Sequence, residues 1–174
     1  DQTASSIGGF NKIVFLKKNI SVKRIGNKKN LRKLNDNILL VYTGLQRTAH
    51  VIASQYVNKL GSTKQKNIEK ILEQVSEGEK ILKSNNIDDF GRLLNEAWME
   101  KKSLSNSVSN HKIDQIYDLA MDNGAYGGKL LGAGGGGFFI FYMKKNDQKR
   151  FLKKSKKLIH VPFKFTSEGS KIIY

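Results

Sequence analysis

The sequence has no cysteine and a single proline, Pro162. The first absence excludes thiolate nucleophiles, disulfide scaffolds and Cys-based zinc sites, and it fits a reducing compartment such as the cytoplasm. The second excludes Pro-rich and collagen-like chains. Long apolar runs are missing as well. The longest, Phe138 to Met143, is strand-sized against the roughly 18 residues of a membrane span, and it predicts a soluble chain with no membrane partner. Acidic residues are scarce, with 15 Asp+Glu against 31 Lys+Arg and a net charge of +16. That excess raises polyanions as partners. It is mostly Lys, however, and it is dispersed in runs at Lys28 to Lys33, Lys101 to Lys102 and Lys149 to Lys157. These runs lack the interleaved aromatics on which single-strand readers stack bases. The charge therefore reads first as a solvated surface, second as a surface for small anions, and last as a nucleic-acid site. His50, His111 and His160 have no ligand-like spacing, so no metal site is assigned to protein side chains.

What is present is a globular composition, 39% hydrophobic and 26% charged over 174 residues, long enough to bury about 70% of the unfolded surface as one domain. Lys12 to Leu16 and Ile20 to Ile25 read as a hairpin, Lys28 to Asn35 as a short helix, and Ile38 to Thr43 as a compact strand closed by Gly44. Four helical stripes follow: Ala49 to Leu60; Ile68, Ile71, Leu72 and Val75, extended by Leu82 past Gly78; Phe90 to Trp98; and Ile113 to Met121, with Asn110 as N-cap and Gly124 as its end. Phe138 to Met143 returns to β, a basic helix covers about Asp147 to Lys157, and Ile159 to Phe165 alternates as a last strand. Pro162 puts that strand at an edge or a bulge, because proline cannot donate a ladder hydrogen bond. Strands at both ends of a helical block predict an α+β fold, one antiparallel sheet with helices on one face.

The feature richest in chemistry is Gly127 to Gly137, GGKLLGAGGGG, running into FFIFYM. Successive glycines admit φ > 0 and let backbone N–H groups converge on an anion. Gly132, Gly134 and Gly137 satisfy G-x-G-x-x-G, yet they lead into a strand, whereas a dinucleotide fingerprint opens a helix. The phosphate-loop pattern fails too: Leu130 follows Lys129, and Asn123 stands at the leading glycine position. An anion-related loop, a hairpin and a close helix-to-strand contact all remain compatible with the residues.

GAGGGGF after a Lys-bearing GGKL resembles the third conserved motif of the GHMP small-molecule kinases. The resemblance runs along the chain through DQTASSIGGFN, LLVYTGLQRTA, WMEKKSLSNSVSN and IDQIYDLAMDNGAYGGKL, and it is closest to the branch acting on D-glycero-D-manno-heptose 7-phosphate. It implies a ferredoxin-like antiparallel sheet with additional helices, ATP with Mg²⁺ brought by the nucleotide, and a sugar phosphate as acceptor. The family's Gly-Leu-Ser-Ser phosphate loop is absent, which implies a partner domain N-terminal to residues 1–174 and little activity without it. Residue by residue, Asp1 matches the acid beside the acceptor hydroxyl, Gly8 and Gly9 the glycines where chain passes close to a sugar, and Gly132, Ala133, Gly134, Gly135 and Gly136 the nucleotide-side loop. Arg47, at a helix start, suits an anionic substrate. Lys101 and Lys102, one turn past Trp98, suit a sugar phosphate or a solvated face.

Overall fold

The computed structural model describes residues 2–46, 54 and 65–173. The chain order is α1 (Gln2–Ile7), β1 (Asn11–Phe15), β2 (Ile20–Arg24), α2 (Lys28–Asn37), β3 (Ile38–Tyr42), α3 (Gln65–Lys83), α4 (Asp89–Lys102), α5 (His111–Asp122), β4 (Gly127–Leu130), β5 (Phe138–Tyr142), α6 (Lys145–Lys154) and β6 (Ile159–His160). The hairpin β1–β2 stands as its own two-stranded sheet, with Ile13 opposite Val22. The other four strands order as β4-β5-β3-β6, every neighbouring pair antiparallel. With helices between β3 and β4 and between β5 and β6, this is the β-α-β-β-α-β arrangement of ferredoxin-like folds.

Alternation along β5 builds the core. Phe139 and Phe141 point into a cluster with Trp98, Tyr117 and Phe151, while the alternate residues Ile140 and Tyr142 face the other way, toward Leu34, Ile81, Leu82 and Leu94. Phe139, Phe141, Trp98 and Phe151 are fully buried, each stabilising by roughly 1.5–3 kcal/mol. The sheet thus buries side chains on both faces, which corrects the expectation of helices on one face only. The cause is α2, which packs Leu34 onto the side opposite Phe139.

Most boundaries follow local chemistry. Asn110 caps α5, its Oδ1 accepting from the Ile113 N–H at 3.1 Å, and Asn27 does the same for α2 toward Asn30 at 2.8 Å. α6 begins at Lys145 and ends at Lys154, earlier at both ends than the charge run suggests. β6 covers only Ile159 and His160, instead of reaching Phe165. Val161 N–H still donates to Leu40 O at 2.9 Å, but Pro162 has no N–H to continue the ladder. α1 and β4 have no counterpart in the sequence reading. β4 opens with Gly127 and Gly128, which weaken any strand signal. Their role is proximity: a Cβ on Gly127 would lie 2.1 Å from Gly91 O on α4. On α3, Leu72 and Val75 of the expected stripe are exposed. The expected helix over Ala49 to Leu60 lies outside the described residues, Ser54 excepted.

Candidate nucleotide-phosphate loop

The loop between β4 and β5 has Gly132, Gly134, Gly135 and Gly137 at φ of 69°, 113°, 74° and 99°, the left-handed region that side chains avoid. Two walls hold it from behind. Gly135 N–H donates to Val108 O at 2.8 Å, and a Cβ on Gly134 would lie 2.9 Å from Val108 Cα and O. Gly137 N–H donates to Leu45 O at 2.9 Å, and a Cβ on Gly136 would lie 2.7 Å from that oxygen. Fully buried Thr43 clamps the exit, its N–H and Oγ1 both donating to Gly137 O at 2.9 Å. The N–H groups of Gly132, Ala133, Gly134 and Gly136 donate to nothing among the described residues. Four uncommitted donors therefore stand on a loop fixed by its other amides, as an anion-binding loop requires.

Lys101, from the last turn of α4, closes the entry side. Its Nζ donates to Leu130 O at 2.9 Å and to Gly132 O at 2.5 Å, with the residue 9% exposed. Burial first, and the neighbouring Lys129 charge second, pull its pKa down to about 8. Burial also lowers the pKa of Lys129, whose ammonium has no hydrogen bond or ion pair among the described residues. Lys102 diverges from Lys101. Its ammonium lies 5.6 Å from the Trp98 ring centroid, 5.9 Å from that of Tyr117 and 3.5 Å from Asp114 Oδ1. The two ammoniums, expected at a sugar phosphate or on a solvated face, thus diverge, Lys101 onto loop carbonyls and Lys102 onto an aromatic shelf.

Gly8 and Gly9 sit at a backbone crossing. A Cβ on Gly8 would lie 2.2 Å from Glu168 C, one on Gly169 would lie 2.0 Å from Ser6 O, and Gly9 N–H donates to Thr166 O at 2.9 Å. Close chain approach is thus the reason for Gly8, and the chain that approaches is the protein's own C-terminal segment. No described hydrogen bond joins this crossing to the Gly132–Gly137 loop. Asp1 and Arg47 lie outside the described residues. No group of His, Cys, Asp or Glu among the described residues could hold a metal ion, and no described helix is long and apolar enough to cross a membrane.

Sequence reasoning missed Lys101 as a clamp, although a signal exists. Lys101 continues the stripe of Leu94 and Trp98 at three-residue spacing, so it falls on the buried side of α4 where its neighbour does not. Thr43, Leu45 and Val108 carry no such signal, because the fold alone brings them to the loop.

Residues 79–157 match the family model for the GHMP kinase C-terminal domain. The chain is 35% identical over 139 residues to the D-glycero-alpha-D-manno-heptose 7-phosphate kinase of Campylobacter jejuni, covering 77% of this chain and 40% of that protein. Among solved structures, a mevalonate kinase of Methanococcus jannaschii superposes with a TM-score of 0.64 at 25% identity, covering 84% of this chain and 44% of the other. A D-glycero-D-manno-heptose 1-phosphate kinase of Bacteroides thetaiotaomicron shares the fold with a TM-score of 0.68 at 22% identity, over 100% of this chain and 49% of the other. The chain thus spans less than half the length of each of these relatives. The glycine loop, α4, α5 and the strands β4 and β5 all fall inside residues 79–157, the span that is similar to the GHMP kinase C-terminal domain.

Proposed function

We propose that this chain is the C-terminal part of an ATP-dependent sugar-phosphate kinase that moves the γ-phosphoryl group of MgATP to the anomeric hydroxyl of a sugar phosphate, with D-glycero-D-manno-heptose 7-phosphate as the substrate. The observation that carries this reading is the set of uncommitted N–H groups at Gly132, Ala133, Gly134 and Gly136, on a loop whose remaining amides are tied to Val108 and Leu45. Preorganised donors of this kind stabilise developing phosphoryl charge without reorganising. The 35% identity to a heptose 7-phosphate kinase supports the choice of substrate.

In this reading the loop receives the phosphate chain, and Lys101 is a positioning residue that keeps the loop carbonyls turned inward. Asp1 accepts or orients the acceptor proton, a role worth typically 10² to 10⁴ in rate. Arg47 meets the substrate phosphate as a planar, permanently charged fork. Mg²⁺ enters in this reading on the nucleotide phosphates. A phosphate-loop domain preceding Asp1 supplies the other wall of the site. The test is ATP-dependent phosphorylation of D-glycero-D-manno-heptose 7-phosphate by the full-length protein and by residues 1–174 alone. Turnover is expected only from the former. Comparable turnover from residues 1–174 alone, or none from the full-length protein, overturns the reading.

A further inference from the structure

A second cleft, of about 530 Å³, lies where the β1–β2 hairpin, the first turns of α2 and residues 164–167 meet. Its size falls within the range of small-molecule sites. Its floor is apolar: Phe10 and Phe165 make an edge-on ring contact at 5.5 Å, beside Ile25 and Leu31. Its rim carries Arg24, Lys28, Arg32 and Lys164 and no carboxylate. None of these four cations takes part in an ion pair among the described residues, whereas Glu79 alone holds three lysines and Asp88 two.

The cleft is built before any ligand arrives. Asn35 Oδ1 accepts from Phe165 N–H at 2.8 Å, fixing the C-terminal wall to α2, and Gly9 N–H donates to Thr166 O at 2.9 Å. Arg24 Nη2 donates to Ser167 O at 3.2 Å, which aims the guanidinium across the mouth. Two glycines line the cleft at positive φ, Gly9 at 82° and Gly26 at 81°. A Cβ on Gly9 would lie 3.6 Å from Arg24 Nε, and one on Gly26, at φ of 81°, would press on Leu31 Cδ2 at 2.9 Å.

We infer that this cleft binds a small organic phosphate, its apolar body on the Phe10–Phe165 floor and its phosphate against Arg24, Arg32 and the two lysines. Two guanidiniums and two ammoniums around one opening suit a dianion that accepts bidentate hydrogen bonds, and repulsion among four like charges falls when the anion sits between them. Such a site shares no lining residue with the Gly132–Gly137 loop, although Gly9, one of the pair the resemblance sets beside a sugar, lines it.

The experiment titrates 1-naphthyl phosphate into the full-length protein at about 0.15 M salt, by calorimetry and naphthyl fluorescence. Saturable binding is expected, with 1-naphthol and inorganic phosphate each weaker by at least about tenfold, since each retains only one half of the recognition. Arg32→Gln should weaken the naphthyl ester by about tenfold or more, and so should the pair Arg24→Gln with Lys164→Gln, with melting temperature unchanged as the check on folding. Lys145→Gln, at the start of α6 and outside the lining of this cleft, should leave it within about twofold. No saturable binding, binding matched by phosphate alone, or affinity indifferent to both sets of rim substitutions overturns the inference.

Discussion

Replacing Lys101 by Met removes a buried ammonium while keeping an unbranched chain of similar volume, so it isolates the clamp on the glycine loop. Two opposing energies set the size of the effect. The fall in pKa from 10.5 to about 8 corresponds to about 3 kcal/mol against the charged form in the folded protein. Because the folded-state value lies below the unfolded one, that cost is present in full below about pH 8 and is recovered as pH rises toward 10.5. Against it stand the bonds to Leu130 O and Gly132 O, at about 1.5–3 kcal/mol each for a charged donor. The two sides nearly cancel, so Lys101→Met should change global stability by no more than a few kcal/mol. The loop is another matter. Without the clamp, Gly132 is free to turn its carbonyl outward, and a shift of about an ångström in a phosphate cradle costs about 10² in rate. The assay pairs chemical denaturation with steady-state kinetics of the full-length protein, varying ATP and sugar phosphate separately. A rise in KM for ATP with a fall in kcat is expected, with Lys101→Arg recovering part of it. An unchanged KM for ATP with a raised KM for the sugar phosphate would refute the clamp and return Lys101 to the substrate.

Other expectations follow from the same contacts. Gly134→Val forces a branched side chain into Val108 Cα and O at a φ of 113°, so a loss of roughly 1–3 kcal/mol in stability should accompany at least about a hundredfold loss of turnover, measured on one preparation by circular dichroism and kinetics. Gly132→Ala, which meets nothing within 4 Å, should cost only the strain of its φ of 69°, about 1–2 kcal/mol, by the same melting experiment. Glu79, held at a pKa of about 2 by hydrogen bonds from Lys12 and then Lys83, ties the hairpin to α3. Its contribution is present above its ordinary value of 4.5 and lost as pH falls toward 2, so Glu79→Gln should flatten urea stability between those values, and an unchanged slope would contradict the tie. Oligonucleotides at about physiological salt should bind weakly, near 10⁻⁴ to 10⁻⁶ M, and without sequence preference, as titration by anisotropy will tell.

Much of the fold is legible in the residues because period and caps agree. Asn110 marks α5 and Gly124 ends it, and Phe139 and Phe141 alternate with Tyr142 as a strand buried on both sides requires. The reading fails where tertiary contact outweighs local preference. Gly127 and Gly128 form a strand because α4 beside the first and Phe141 of β5 beside the second leave room only for bare backbone, and β6 stops where Pro162 withholds its N–H. For the site, glycine spacing reveals the loop but not its walls, since Leu45 and Val108 are far from it in sequence and ordinary in type. The sequence offers Lys101 and Lys102 as a pair, and helix geometry sends one inward and the other onto Trp98.

The central claim is that the free amides of the Gly132–Gly136 loop hold nucleotide phosphates. Amide ¹H–¹⁵N spectra of the full-length protein, labelled at glycine and alanine and titrated with MgADP and then MgATP, read those groups one by one. The signals of Gly132, Ala133, Gly134 and Gly136 should move downfield as the phosphates arrive, while Gly135 and Gly137, already bonded to Val108 and Leu45, move little. Saturable nucleotide binding that leaves all four unmoved would contradict the claim.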